Sequence, residues 1–339
     1  MSIAASHTPV LARSDEAYDG HPLIARQEFA HRRTFYPLGF AVEIETNSIE
    51  ILLAASESWR EQVCASTDPP LRIRLGVTQA NSSGCPSAPV PRADGHLLSI
   101  VADAANFAVC DLLQGVAFGW VSEATLKNRL YFRYHFLEAI ALSLISTSRA
   151  SPLHAACVSF EGRGVLFCGA SGAGKSTLAY ACARAGWTFT SDDASYLLWE
   201  SADLDVRGNA HQVRFRPSAK ELFPELQGRS LTPRAAGKPS IEVFTAELPG
   251  IVTAKDSQVH YIVLLNRRIS CQAELTPLTR DEMLPHLGGS LFAEEWAPHP
   301  RAKILERLCA ATMYELRYAD VEDAIGLLER LVRGDLRQR

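Results

Sequence analysis

Residues His154–Asp193 read HAACVSFEGRGVLFCGASGAGKSTLAYACARAGWTFTSDD. Two apolar runs, HAACVSF and GVLFCG, flank the turn residues Glu161, Gly162 and Arg163, a spacing that predicts an antiparallel hairpin. The next residues, Gly169-Ala170-Ser171-Gly172-Ala173-Gly174-Lys175-Ser176, satisfy G-x-x-x-x-G-K-[ST] at every position. Glycines in that pattern permit backbone angles that turn several N–H groups inward onto an anion, and the following helix aims its positive end at the same place. On this reading Lys175 reaches the β- and γ-phosphates of a nucleotide and the Ser176 hydroxyl sits on Mg²⁺. Ser171 reads equally as a phosphate contact or as a solvent-facing residue. KSTLAYACARA predicts the helix, with Gly186 at its C′ position.

WTFTSDD then predicts a strand ending in Asp192 and Asp193. Successive side chains on a strand face opposite ways, so the two acids are expected to do different work. One carboxylate suits a metal ion, and one suits a base that takes the proton of an attacking hydroxyl. A turn built of aspartates is the plainer reading of the same residues. The later apolar strand YIVLLN ends in Asn266 where many nucleotide-hydrolysing loop proteins carry a metal-binding aspartate, and no N-K-x-D guanine-reading pattern occurs.

Working outward, VRFRPSAKELFPEL is basic, with Arg214 and Arg216 on one face of a strand. They read either as a clamp on a transferring phosphate or as members of structural ion pairs. Arg229, Arg234 and Lys238 fall in a long loop rich in Pro, Gly and Arg, of the kind that closes over phosphates, although surface exposure explains them as well. VHYIVLLN is a buried strand, followed by a helix near 301–312, a strand MYELRYA, and a helix from about Val321 to Val332. Before the hairpin, GFAVEIETN and LRIRLGV alternate as half-buried strands, and SIEILLAASESWREQV reads as a helix with Ser48 as N-cap. QANSSGCPSAPVPRADG reads as a loop, HLLSIVA, FAVCDLL and GVAFGWV as a strand meander, and YFRYHFLEAIALSLIST as one apolar helix.

The chain has 339 residues and a net charge of −4, so no global basic field draws it to nucleic acid or to an anionic membrane. No stretch of about 18 uninterrupted apolar residues predicts a membrane span. The opening residues lack the charge and apolar pattern of a signal peptide. Eight cysteines show neither C-x-x-C pairs nor zinc spacing, which suits a reducing cytoplasm. His96, His211, His260 and His286 stand singly, with no metal-ligand spacing.

From His154 to Asp193 the chain resembles the catalytic core of HPr kinase/phosphorylase and its relatives, whose phosphate-loop core is related to phosphoenolpyruvate carboxykinase. The resemblance rests on a histidine-led strand, a hairpin, G-x-S-G-x-G-K-[ST], a helix closing on glycine, and a strand ending in Asp-Asp. It implies an α/β fold, α+β over the whole chain: a P-loop kinase core with a mixed sheet plus a smaller N-terminal α+β domain. The expected organisation is a disordered arm at 1–20, an N-terminal domain of unknown role at 21–150, and a catalytic domain at 151–339. It implies ATP and Mg²⁺, with Gly169–Thr177 binding the nucleotide, Ser176 and Asp193 holding metal, and Lys175, Asp192 and His154 catalytic. Asp192 matches the acid that acts as base. Read without the family, His154 is equally a satisfied core histidine, and the residues alone leave open which acid is the base.

The chain departs from the carrier-protein enzymes at two points. Arg207-Gly208 is present, but the acid before it is the shorter Asp205, and Thr177 stands where those enzymes often carry an acid. A diverged kinase follows, one that transfers the γ-phosphoryl group to a hydroxyl of a protein or peptide serine, or of a small metabolite. A nucleotide-binding regulatory or assembly ATPase without an acceptor is the alternative, and homo-oligomerisation stays open. A carboxykinase acting on an organic acid fits less well, because no second basic cluster is evident.

Overall fold

The computed structural model describes residues 29–59, 63–78, 84–291 and 301–335. The arm expected at 1–20 lies outside them. The fold is mixed α+β, with a seven-stranded sheet, a ten-stranded sheet and a two-stranded ribbon. Among the described residues no helix is long and apolar enough to cross a membrane.

The first sheet is formed by β1 (His31–Phe35), β2 (Val42–Thr46), β3 (Leu71–Thr78), β4 (Val90–Asp94), β5 (Leu97–Asp103), β6 (Asn106–Asp111) and β7 (Val116–Ser122), in the order β1-β2-β3-β7-β6-β5-β4. The helices that accompany it are α1 (Ile49–Trp59), α2 (Glu123–Lys127), α3 (Arg129–Phe132) and α4 (Ala139–Ser148). Alternation in β2 and β3 sends Val42, Ile44, Leu71, Ile73 and Leu75 into a core with residues of α1 and α4. The opposite face carries a cross-strand charge ladder, Arg32–Glu43 at 2.6 Å and Arg74–Glu45 at 2.9 Å.

Two sequence expectations change here. Val90–Asp94 is a strand, not loop: it lies at the sheet edge, where Pro91 and full exposure are tolerated, and it turns into β5 through Gly95. The apolar helix expected over 131–147 is interrupted, since a π-helical segment at Arg133–Glu138 separates α3 from α4.

The second sheet contains β8 (Ala150–Leu153), β9 (Ala156–Phe160), β10 (Arg163–Cys168), β11 (Thr188–Ser191), β12 (Ser195–Leu198) and β13 (Asp205–Gly208). β14 (Gln212–Phe215) and β15 (Ile241–Phe244) form the separate ribbon. The second sheet is completed by β16 (Val252–Thr253), β17 (Asp256–Arg267), β18 (Glu274–Pro277) and β19 (Thr312–Tyr318). Its helices are α5 (Lys175–Arg184), α6 (Arg280–Ser290), α7 (Arg301–Leu308) and α8 (Val321–Arg333). α7 ends at Leu308, short of the helix expected to 312.

β9 and β10 form the expected hairpin, with Glu161 and Gly162 both at positive φ in a two-residue turn. β10 runs parallel to β17, and β17 parallel to β19. Both faces of these strands are covered, which explains their unbroken apolar runs. Val165, Phe167, Val263 and Leu265 pack in one core with α5 and α8. Leu166, Cys168, Ile262 and Leu264 pack in another with α6 and α7. Cys157, Cys168 and Cys182 are buried thiols within these layers, and all eight cysteines are free.

The two halves meet at Arg207. Its guanidinium pairs with Asp256 (Nη2–Oδ2 3.0 Å), donates to the Leu38 carbonyl at 3.3 Å and the Ala65 carbonyl at 3.2 Å, and lies over the Phe40 ring. Gly208, next to it, lets β13 pass against the end of β11, where a Cβ would lie 2.3 Å from the Thr190 carbonyl oxygen and 2.6 Å from the Ser191 Cβ. Gly208→Ala is therefore expected to destabilise the protein by about 1–3 kcal/mol. A denaturant midpoint equal to wild type would contradict that close approach. Arg207-Gly208 serves packing here. Asp205, the shorter acid before it, accepts from the Ser201 hydroxyl at 2.6 Å.

Candidate functional site

The glycine-rich loop leaves the C-terminal end of β10, beside the C-terminal end of the parallel strand β17. In open α/β sheets this is where ligands bind. Gly169, Gly172 and Gly174 all have positive φ. At Gly174 (φ 98°) a side chain would also collide with the Tyr318 hydroxyl, 2.8 Å from the position of a Cβ. α5 starts at Lys175, directly after the loop. The Lys175 side chain, 6% exposed, folds back on the loop, and its Nζ donates to the carbonyls of Gly169 at 2.7 Å and Ala170 at 3.3 Å. Burial lowers its pKa, while Asp193 favours the charged form.

β11 stops at Ser191, so Asp192 and Asp193 project from a bend rather than from the strand that WTFTSDD predicts. Buried serines bracket that bend. Ser191 Oγ accepts from the Cys157 N–H at 3.1 Å and bonds Ser195 Oγ at 2.6 Å, and Ser195 donates to the Ala155 carbonyl. Ser176, in the first turn of α5, donates to the Asp192 carbonyl at 3.1 Å, tying the helix to the bend.

The loop, the bend and the β14–β15 ribbon enclose a cleft of about 480 Å³. His154, Ser171, Gly172, Gly174, Lys175, Ser176, Thr177 and Asp193 line it, together with Arg214, Arg216, Arg234, Lys238 and Arg267. Gly169, Ala170 and Ala173 do not line the wall; they shape the loop backbone. Asp192 is absent from the wall as well. Asp192, a residue 9% exposed, borders a second cavity, of about 270 Å³, between the two halves, and its carboxylate accepts from the Arg214 backbone N–H at 2.7 Å. Asp193 and Arg214 line both cavities. Asp193 thus reaches both spaces and Asp192 only the second, and neither stands on a strand.

Electrostatics separate the two spaces. Lys175, Arg214, Arg216, Arg234, Lys238 and Arg267 line the cleft against one lining carboxylate, Asp193, in a protein of net charge −4. Glu242 Oε1 anchors two of these cations, Arg214 Nε at 3.1 Å and Arg234 Nη1 at 3.4 Å. Arg214 also approaches Asp193 at 3.5 Å. Lys238 Nζ reaches Ser171 Oγ at 3.3 Å, bringing its loop over the glycine loop. Arg229 pairs with Glu247 instead. Arg216 and Arg267 have no carboxylate partner among the described residues.

Burial raises the Asp192 pKa to about 7, with Asp193 adding to the rise and the Arg214 N–H opposing it. His154 Nε2 lies 3.2 Å from Asp193 Oδ1. Burial and the Lys175 charge hold the His154 pKa below its ordinary value despite that neighbour.

No family model matches the chain, and no curated protein matches it. Among solved structures, an HPr(Ser) kinase/phosphatase from Coxiella burnetii matches over 54% of this chain and 95% of that chain, at 14% identity and a TM-score of 0.31. The likeness is a distant one, of fold.

The cleft has hard oxygen donors for Mg²⁺ in the Ser176 hydroxyl and the Asp193 carboxylate. Among the described residues no three His, Cys, Asp or Glu side chains converge as a self-contained metal site. Mg²⁺ is commonly held by one or two protein oxygens plus substrate phosphates, so this donor set fits it. Arg267 and Glu242 did not stand out in the sequence. Arg267 had no signal of its own, because its place at the cleft comes from the parallel pairing of β17 with β10. Glu242 had none, because its role appears only when β15 pairs with β14, setting it opposite Arg214.

Proposed function

We propose that the protein is a Mg²⁺-dependent kinase that moves the γ-phosphoryl group of ATP to an acceptor hydroxyl. The observation that carries this reading is a pair of cavities with a common wall: a cationic cleft on the glycine loop and a second space behind Asp193 and Arg214.

The roles follow from placement. The loop N–H groups, Lys175 and the arginines hold the phosphates, with Gly169–Thr177 as the nucleotide-binding segment. Ser176 and Asp193 hold Mg²⁺, which when bound neutralises charge on the phosphate oxygens. Asp192, on the side of the second cavity, takes the acceptor proton. As the acceptor oxygen bonds the γ-phosphorus, the bond to the β–γ bridging oxygen breaks and its electron pair leaves with the diphosphate. His154 orients Asp193 through their hydrogen bond, which makes it a positioning residue. The acceptor hydroxyl belongs to a protein or peptide serine or to a small metabolite.

The test is turnover of Mg²⁺-ATP with and without candidate acceptors. Phosphate release that needs no acceptor, and that no acceptor accelerates, would leave the nucleotide-hydrolysing regulatory protein as the better description.

Arg216 gives a second, narrower prediction. Its side chain lines the cleft without a carboxylate partner, so Arg216→Ala breaks no internal ion pair among the described residues. A charge-assisted hydrogen bond of about 1.5–3 kcal/mol is lost on phosphate, which weakens ATP binding roughly 10- to 150-fold while the melting temperature stays near wild type. Titration with a fluorescent ATP analogue measures it, and unchanged affinity would remove Arg216 from the phosphate site.

A further inference from the structure

The second cavity has a chemistry of its own. Tyr196, Asp192 and Ser191 line it from the second half, and Trp59, Glu138 and Leu142 from the first. Its volume, about 270 Å³, falls just below the roughly 300–1,000 Å³ of ordinary small-molecule pockets, and both halves of the chain bound it. Tyr196 is 8% exposed, and its hydroxyl has no hydrogen-bond partner among the described residues. That hydroxyl is left to bond whatever occupies the cavity that Tyr196 lines.

Charge narrows the occupant. Three carboxylates line the cavity, Asp192, Asp193 and Glu138, against one guanidinium, Arg214. Arg214 is already engaged by Glu242 and Asp193. Glu138 accepts from Ser58 Oγ at 2.7 Å and pairs with Arg133 at 3.4 Å. Among the described residues no uncommitted cation lines this space, in contrast to the cleft, where Arg216 and Arg267 lack a carboxylate partner. A carboxylate or phosphate on the occupant would meet like charge and find no counter-ion. Trp59 and Leu142 offer it an apolar wall.

We infer that this cavity is the acceptor site and that the acceptor is a compact alcohol, neutral or cationic, with an apolar portion. The inference rests on the kinase reading above and gives its acceptor a class. The hydroxyl lies toward Asp192 and Asp193, within reach of the shared wall, the Tyr196 hydroxyl meets a second polar group, and the carbon skeleton lies against Trp59 and Leu142.

The full-length protein with Mg²⁺-ATP is offered ethanolamine, choline, glycerol and myo-inositol in one set. Glycerate, lactate and a capped seryl tripeptide form the other. Phosphate esters are read by mass. The expected result is an ester in the first set only. Leu142→Trp, which fills the cavity, should abolish its formation while affinity for a fluorescent ATP analogue stays within about twofold. Tyr196→Phe, which adds no bulk, keeps the test sound if the tryptophan variant misfolds. It should raise the acceptor KM roughly 2- to 12-fold and leave the ATP KM unchanged. An ester formed in the second set, alone or alongside the first, or one indifferent to both variants, overturns the acceptor class and leaves the kinase standing. ATP consumed with no ester in either set overturns both.

Discussion

Asp192→Asn should lower phosphoryl transfer by about a thousandfold, within the range a positioned general base supplies, while ATP affinity changes by less than about twofold. The asymmetry follows from where the side chain lies. Asp192 borders the second cavity and not the glycine-loop cleft, so a nucleotide bound in that cleft would not touch it. Asparagine keeps the shape, and its Oδ1 still accepts the Arg214 N–H, so the bend survives. Asp193→Asn should behave differently, weakening Mg²⁺-dependent ATP binding and transfer together, because Asp193 lines the cleft beside Ser176. Transfer rates compared with equilibrium nucleotide titrations separate the two. Survival of transfer in the Asp192 variant would move the base to another residue.

The same variant predicts a pH signature. Burial raises the folded-state pKa of Asp192 from 3.8 to about 7. Between those values the folded protein holds a proton that the unfolded chain has released. Asp192 therefore costs stability progressively as pH rises from about 4 to 7, and the full cost is present above 7. The uncharged amide of the Asp192→Asn variant carries no such cost. The stability difference between variant and wild type should shift in favour of the variant from pH 5 to pH 8 in urea titrations, and a pH-independent difference would show that the carboxyl is not held protonated.

Lys175→Met should cut turnover by roughly 100- to 1,000-fold and abolish stabilisation by nucleotide. In the wild type, ATP at a hundred times its Kd should add about 2.7 kcal/mol, a shift of several degrees in melting temperature. The lysine is buried and rests on the Gly169 and Ala170 carbonyls, a position from which its ammonium can transfer to phosphate oxygens without leaving the loop. Methionine fills the same space without the charge. A variant that still melts later when ATP is added would place the phosphates elsewhere.

Much of the site was legible from local pattern. The hairpin at 156–168 was visible because its turn residues take positive φ, and Gly162 does so without strain. The glycine loop and helix α5 were visible because their conformation depends on consecutive residues. The paired acids were visible as a pair, but not their setting: the strand stops at Ser191, and two buried serines, bonded to each other and to β9 and its approach, hold the bend that aims each acid. Val90–Asp94 was missed as a strand because proline and exposure speak against one unless the strand lies at an edge, and edge position is a property of the whole sheet.

Arg214 and Arg216 could be read from sequence either as a phosphate clamp or as an ion-paired surface; in the folded chain Arg214 is tied to Glu242, and Arg216 lines the cleft without a carboxylate partner among the described residues. The sequence by itself determined the backbone of the glycine loop and the start of α5, since φ angles and helix start are set by neighbours along the chain. Only the tertiary structure decided that Asp193 reaches both the cleft and the second cavity while Asp192 reaches only the second. It also decided that Arg267, Glu242, Tyr196, Trp59 and Glu138 take part at all. These residues converge from segments far apart in the chain, and strand order, not spacing, brings them together.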